Sequence, residues 1–380
     1  MKACDFLVIG AGIAGASAAY ELGAHGRVVL LEREQVPGYH TTGRSAAMFV
    51  ETYGNETIRC LTKASRAFFE APPQGFAEHA LLAPRGAMHV ARVDQLPALS
   101  RGLAELCPLT PSLRRIGADE AVAMVPVLRR DYVAAAIHEP AAMDIDVAAL
   151  HQGYLRGLRA RGGELITDAE VIRLSGDAGT WRVQTRAGMF ASSVLVNAAG
   201  AWCDEIARLA GVRTIGLIPK RRTVITFDPP SGVNPRTWPI TIDIDEEFYF
   251  RPEGGRILAT PADETPMPPC DVQPEELDVA LTVERVEKAT TLQVRRIHSK
   301  WAGLRSFVQD KSPVVGMDEA QGFFWLAGQG GYGIQTSPAV ARSLTALVLT
   351  ARFPDDLSAF GLRPEHLAPG RLTGRGKQPG

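Results

Sequence analysis

The chain has 380 residues, 46% hydrophobic and 22% charged, with 41 basic against 42 acidic side chains. Such a length suggests about two to three domains around a large core, and the even charge balance argues against a nucleic-acid partner. No apolar run approaches the roughly 20 residues that cross a bilayer, and the first strand-like run starts too close to Met1 for a signal peptide. The expectation is a cytoplasmic protein without a membrane span, free or peripheral to the inner membrane. Cys4, Cys60, Cys107, Cys203 and Cys270 form no CxxC pair, and the histidines lack ligand spacing, so neither a disulfide framework nor a metal site is expected.

The chain opens on FLVIGAGIAGASAAYEL. Phe6–Ile9 reads as a buried parallel strand; Gly10, Gly12 and Gly15 permit a tight turn and close approach of a pyrophosphate. The Ala-rich run from Ile13 and Ala14 reads as a helix whose N-terminus faces the phosphates. A second strand, Val28–Leu31, ends at Glu32, near the spacing of roughly 20 residues at which a carboxylate accepts hydrogen bonds from an adenosine ribose. Glu32 argues against a 2′-phosphate, which leaves FAD or NAD. Farther on, a strand-like run over 194–196 leads into the turn Asn197-Ala198-Ala199-Gly200 and a helix from Trp202. Near the end, FFWLAGQGGYGIQTSPAVARSLTALVLTA gives a strand, a loop with Gly328, Gly330, Gly331 and Gly333, and a helix starting near Ser337-Pro338.

Three separated segments therefore build one Rossmann-like cofactor domain, expected over 1–80, 140–215 and 300–368. The stretches 81–139 and 216–299 have a different texture; ITIDIDEEFYFRPEGGRILAT reads as antiparallel hairpins, and these stretches are expected to form a sheet-containing substrate domain. The fold class is α/β, α+β overall. Residues 369–380, with Arg371, Arg375 and Lys377, read as a solvated tail. A second GxGxxG is absent and the chain returns twice to its nucleotide domain, which favours FAD over NAD.

GAGIAGASAAYEL with LERE, GYHTTGRSAAMF, NAAGAW, and the pair WAGLRSF with GQGGYGIQTS resemble the D-amino acid oxidase superfamily. LRRDYVAA, DIDVAALHQGYLRGLR, GLIPKRR and EEFYFRP resemble its bacterial D-arginine dehydrogenase branch, collinearly over essentially the whole chain. The resemblance implies a non-covalent FAD bound by Gly10, Gly12, Ile13, Ala14, Gly15, Glu32 and Arg33, by Thr42, Gly43, Arg44, Ser45, Ala46 and Ala47, and by Val171 beside the adenine. It adds Ala199, Gly200 and Trp202, and places Gly330, Gly331, Tyr332, Gly333, Ile334 and Gln335 at the flavin's pyrimidine edge.

Oxidising a carbon–nitrogen bond through flavin needs an anchored substrate carboxylate, and arginine binds carboxylates bidentately. Arg222 in PKRRTVITF and Arg305 in WAGLRSF are the candidates. In a strand Arg221 and Arg222 point to opposite faces, so at most one faces a pocket directly, and the resemblance selects Arg222. Alternation sends Phe248 and Phe250 to one face and Tyr249 to the other. The resemblance assigns Tyr53 a second hydroxyl over the substrate and adds Gln335 to the catalytic set, with the Gly331 carbonyl accepting from a neutral amine. No histidine base is evident.

Against the D-arginine branch, Met48 stands where a histidine is found and Ala87 where a glutamate is found. With Val50 they imply a pocket for a neutral or hydrophobic side chain, because a cation buried without its carboxylate costs several kcal/mol. Asp243, Asp245 and Glu247 share parity with Tyr249 and would supply an acid unless Asp245-Glu246 is a hairpin tip, the expected case. The leading expectation is oxidative deamination of a D-amino acid, with a quinone, another carrier or oxygen taking the electrons. Alternatives are oxidation of a secondary amine (an N-methyl amino acid, a proline-like substrate or glycine) and a non-catalytic flavin-binding subunit.

Overall fold

The computed structural model describes residues 1–108 and 110–372. Its first sheet has six strands, in the order Glu164–Ile166, Val28–Leu31, Phe6–Ile9, Val194–Asn197, Phe323–Ala327 and Val314–Met317. Every pairing is parallel except that of the last two strands. Phe6–Ile9 is buried along its whole length because both faces of the sheet are covered. Phe6, Val8, Val28, Leu30 and Val196 pack into one core with the Ile13–Leu22, Val147–Ala160 and Gly333–Thr350 helices. Leu7, Ile9, Val29, Leu31 and Leu195 alternate into a second core, which a four-stranded sheet (Lys2–Ala3, Val171–Asp177, Thr180–Thr185, Gly188–Ser192) and the Cys203–Leu209 helix cover. The first strand–turn–helix unit and the separated return strands thus converge on one sheet, an α/β arrangement.

The largest sheet has nine strands and contains Ala87–Ala91, Arg114–Gly117, Ala135–Glu139, Ile218–Phe227, Ile240–Asp243, Tyr249–Glu253, Arg256–Thr260 and Thr265–Pro266. Its ninth strand, Ile297–Phe307, pairs antiparallel with Ile218–Phe227, so the boundary expected at residue 300 falls inside a strand of this sheet. The expected hairpin is present: Ile240–Asp243 and Tyr249–Glu253 pair antiparallel, and Glu246 takes φ 59° in the turn between them. A three-stranded sheet of Met48–Phe49, Met143–Ile145 and Leu82–Pro84 lies among these layers.

Two expectations need correction. The last long helix begins at Gly333 rather than near Ser337-Pro338, and Pro338 lies inside it. Proline cannot donate to the Ile334 carbonyl, and the Ser337 hydroxyl takes that acceptor at 3.0 Å. Arg371 is not part of a solvated tail. Its guanidinium binds Asp310 at 2.7 Å and the Ser312 carbonyl at 2.7 Å, and Pro369–Leu372 forms a 3₁₀ turn. Arg375 and Lys377 lie outside the described residues.

The glycine turn is fixed by steric fit. A Cβ on Gly15 would stand 1.8 Å from the Gly10 carbonyl oxygen, and one on Gly10, at φ +97°, would stand 2.5 Å from the Ala198 carbonyl. One on Gly12 meets only the Thr42 hydroxyl, at 3.2 Å. Gly15→Ala is therefore expected to destabilise the apoprotein by about 3 kcal/mol, at the upper end for overpacking, and Gly12→Ala by under about 1 kcal/mol. Thermal unfolding of both variants checks the order; equal losses would remove the packing role from Gly15.

Candidate flavin and substrate site

One groove runs from the glycine turn to the large sheet and encloses about 1640 Å³ of empty space, open solvent included. At one end Glu32 is buried and receives hydrogen bonds from Ala11 N at 2.8 Å and Glu34 N at 3.0 Å. A carboxylate oxygen has several lone pairs, so Glu32 keeps acceptor capacity toward the groove it lines. Arg33 lies over the Trp202 ring at 4.8 Å and pairs with Glu170 at 3.2 Å. Val171, Ala199, Gly200 and Trp202 complete that end.

In the middle, Gly10, Gly12, Ile13, Ala14, Thr42, Ser45 and Ala46 line the groove. No side chain caps the Ile13–Leu22 helix, and apart from Ile13 N, which donates to Thr42 Oγ1 at 2.9 Å, the amides of its first turn are available to an anion. Gly15 and Gly43 do not line the groove; a Cβ on Gly43 would meet the Gly38 carbonyl at 2.7 Å, so both serve close backbone packing. Ala47 packs into the core instead. Arg44 lines the groove, but its guanidinium turns away to the Ala302 carbonyl at 3.0 Å, the Val272 carbonyl at 3.2 Å and the Asp271 carboxylate. It ties the 263–272 segment across the groove, a contact the irregular, proline-rich sequence there did not signal.

At the far end Arg222, Tyr249 and Arg305 line the groove together with Gly330, Gly331, Gly333 and Ile334. Gly330 N bonds the Ser306 carbonyl at 2.9 Å. A Cβ on Gly331 would stand 2.9 Å from Arg305 Nη1, so any side chain there would press on the guanidinium. The Gly333–Thr350 helix points its N-terminus here, with no acidic residue in its first turn and no side-chain cap. Backbone amides at that terminus carry positive partial charge toward the groove.

Strand parity separates the two neighbouring arginines as expected. Arg221 faces away and is neutralised by Asp278 at 2.8 Å, Asp263 at 3.5 Å and Glu275. Arg222 faces the groove; among the described residues its one ion pair is with Glu264 at 3.4 Å, which also binds Lys220 at 2.8 Å, while its Nε donates to the Asp263 carbonyl at 2.9 Å and the Asp263 carboxylate acts on it from farther off. Burial, and then the charge of Arg305, hold the Arg222 pKa below its ordinary value. Arg305 makes no ion pair among the described residues; its Nη1 donates to the Tyr53 hydroxyl at 3.4 Å. Among the described residues, the two guanidiniums at this end thus have one carboxylate in ion-pair contact, the partly exposed Glu264, and an incoming anion would add to the charge balance.

The residues expected beside the substrate divide into two groups. Tyr53, Met48, Val50 and Ala87 do not line the groove but pack in one apolar cluster with Tyr249, Ile240, Ile242 and Ala142. Ile240 and Ile242 were missed; Ile242 stands opposite Tyr249 in the ladder, a relation that alternation could have revealed. Gln335 is corrected: its side chain is buried, accepting from Val50 N and donating to Thr62 Oγ1, both at 3.0 Å, so it does not reach the groove. Tyr332 likewise lies outside the lining, its ring on Tyr53 at 4.8 Å. Asp243 turns from the cluster to Gln95 at 3.1 Å. Behind the cluster, Glu139 is 1% exposed, and burial raises its carboxyl to about 7, with Glu51 and Arg66 as its charged neighbours.

A doubly covered parallel sheet with a phosphate-binding helix turn, whose groove ends at paired arginines, is the architecture of a dinucleotide-dependent oxidoreductase. The family model "DAO: FAD dependent oxidoreductase" matches residues 5–347, and the chain belongs to that family, with FAD as its cofactor. It is 24% identical over 376 residues to the uncharacterized oxidoreductase YurR of Bacillus subtilis, covering 94% of this chain and 98% of the relative. Human mitochondrial dimethylglycine dehydrogenase is 25% identical over 383 residues, covering 93% of this chain but 43% of that longer protein. Among solved structures, L-proline dehydrogenase from P. horikoshii superposes with a TM-score of 0.84 at 21% identity, covering 98% of each chain, a likeness that shows the fold. No described helix is long and apolar enough to cross a membrane.

Arg44→Met is expected to weaken FAD binding by about tenfold or more, since it removes two main-chain bonds as well as the ion pair. Asp271→Asn removes only a pair to a half-exposed carboxylate and should cost little. Titration of apoprotein with FAD, followed by flavin fluorescence, ranks the two; the reverse order would release Arg44 from its strapping role. A second expectation concerns pH. Glu139 has a folded pKa above its unfolded one, so its contribution to stability is full below about 4.5 and is lost as pH rises to about 7. Denaturant unfolding across that window should show a decline that Glu139→Gln flattens; an unchanged slope would mean the carboxyl titrates normally.

Proposed function

We propose that the protein oxidises a D-amino acid with a neutral or hydrophobic side chain to its imino acid, which water hydrolyses to a 2-oxo acid and ammonia. The observation that carries this reading is that Arg222 and Arg305 line one end of the groove with one ion pair, Arg222 to Glu264, among the described residues, a surplus of positive charge that a substrate carboxylate would answer. Bound FAD supplies the acceptor for the hydride leaving Cα. Arg222 and Arg305 hold the carboxylate, with Tyr249, which lines the groove, and Tyr53, whose hydroxyl is bonded to Arg305, as its further hydroxyl donors. With the carboxylate fixed, the Cα–H direction is set, which is how positioning lowers such a barrier. The substrate ammonium loses its proton to solvent water before transfer, and the Gly331 carbonyl accepts from the neutral amine. The uncapped helix terminus at Gly333 would favour negative charge at this end of the groove.

The apolar cluster of Met48, Val50, Ala87, Ile240 and Ile242, which borders the groove through Tyr249, supports a neutral side chain. The D-configuration is supported by the resemblance of GLIPKRR, EEFYFRP and WAGLRSF to the D-arginine dehydrogenase branch. A secondary amine is the second reading, favoured by the likeness to L-proline dehydrogenase and to human mitochondrial sarcosine dehydrogenase, 24% identical over 389 residues. The acceptor that reoxidises the flavin is proposed to be a quinone or another carrier rather than oxygen.

Anaerobic mixing of the FAD-loaded protein with D-leucine, D-methionine and D-phenylalanine is expected to bleach the flavin faster than N-methylglycine or L-proline does; the opposite ranking would install the second reading. Arg222→Ala should lower kcat/KM by an amount worth about 2–5 kcal/mol, the cost of truncating one partner of a buried charge pair. Ala87→Glu is expected to raise the D-arginine to D-leucine ratio of kcat/KM, because it restores a partner for the cation. An unmodified enzyme that already prefers D-arginine would contradict the apolar pocket.

A further inference from the structure

The turn that carries Tyr53 is held from two sides by buried side chains. On the groove side, Gln335, from the Gly333–Thr350 helix, accepts from Val50 N and bonds Thr62. On the other side, Glu139 ends the Ala135–Glu139 strand, opposite Ala87 in the large sheet. Its carboxyl accepts from the Thr52 hydroxyl. Tyr53 follows immediately, with its hydroxyl on Arg305 and its ring against Tyr332.

Thr52 and Glu139 are 6% and 1% exposed, so little water competes for this bond. Without Glu139 the turn would remain tied to the flavin-side helix at Val50 but would be free of the substrate-side sheet at Thr52. The phenol of Tyr53 would then swing relative to Arg305. We propose that Glu139 is a positioning residue, which fixes the Tyr53 hydroxyl over the carboxylate pocket by gripping Thr52. The inference rests on the reading of Arg222 and Arg305 as a carboxylate receptor, and it adds a residue that never touches substrate.

The test uses FAD-loaded protein carrying 3-fluorotyrosine at position 53 alone, observed by fluorine NMR, with benzoate titrated in parallel against the flavin absorbance. Glu139→Leu and Thr52→Val are expected to broaden or split the resonance and to raise the benzoate Kd about threefold to tenfold, the worth of one buried hydrogen bond. Adding Tyr53→Phe to either should bring no further loss, and Glu139→Gln, which can still accept, should restore most of the affinity. If Glu139→Leu fails to fold, Thr52→Val, which removes only a hydroxyl, carries the test. A resonance and Kd that stay at wild-type values in a folded Thr52→Val or Glu139→Leu protein would overturn the proposal. Failure of the wild-type protein to bind benzoate would instead overturn the carboxylate receptor, and the resonance alone would then decide the positioning.

Discussion

Two guanidinium groups, Arg222 and Arg305, stand at the end of one groove, and among the described residues a single carboxylate, the partly exposed Glu264, makes an ion pair with them. Buried positive charge without a partner is among the most costly arrangements a fold can hold, and the surrounding architecture distributes that cost. The antiparallel ladder places Arg222 opposite Gly303, so no side chain crowds the guanidinium from the partner strand. Gly331 leaves room beside Arg305. Arg221, one residue away, consumes the available acids on the other face and so cannot share them with the pocket. The charge deficit is thereby confined to the place where a carboxylate can enter.

The same geometry joins two sheets that differ in kind. The parallel sheet presents helix N-termini and glycine turns, which suit the phosphates and the reduced ring of a dinucleotide. The antiparallel sheet presents side chains at fixed alternation, which suits recognition of a small molecule. They meet where Gly330 hydrogen-bonds Ser306, and where Arg44 straps the 263–272 segment over the groove. The position of the arginines relative to the flavin end therefore depends on a handful of contacts between these layers.

Much of this was legible because it rests on local rules. The opening strand, glycine turn and helix follow from spacing, the separation of Arg221 from Arg222 follows from the two-residue period, and the Asp245-Glu246 tip follows from turn chemistry. What escaped depended on tertiary placement. Gln335 read as a pocket residue because its loop borders the groove, yet helical periodicity from Gly333 turns its amide into the core. The start of that helix was misplaced because Pro338 mimics a first-turn proline, while Ser337 satisfies the carbonyl it frees. Glu264 and Asp271 lie in an irregular stretch whose sequence has no period to read, and Glu139 acquires its surroundings only when its strand pairs with Ala87–Ala91.

The central claim is that the arginine pair holds the substrate by its carboxylate, and removing that group from the substrate tests it most directly. D-leucine and D-leucinamide share the reacting amine and the side chain, so comparing their anaerobic rates of flavin reduction isolates the carboxylate. The account predicts a loss of kcat/KM of about a hundredfold or more for the amide, in line with an unanswered buried charge. Equal rates for the two compounds would contradict it.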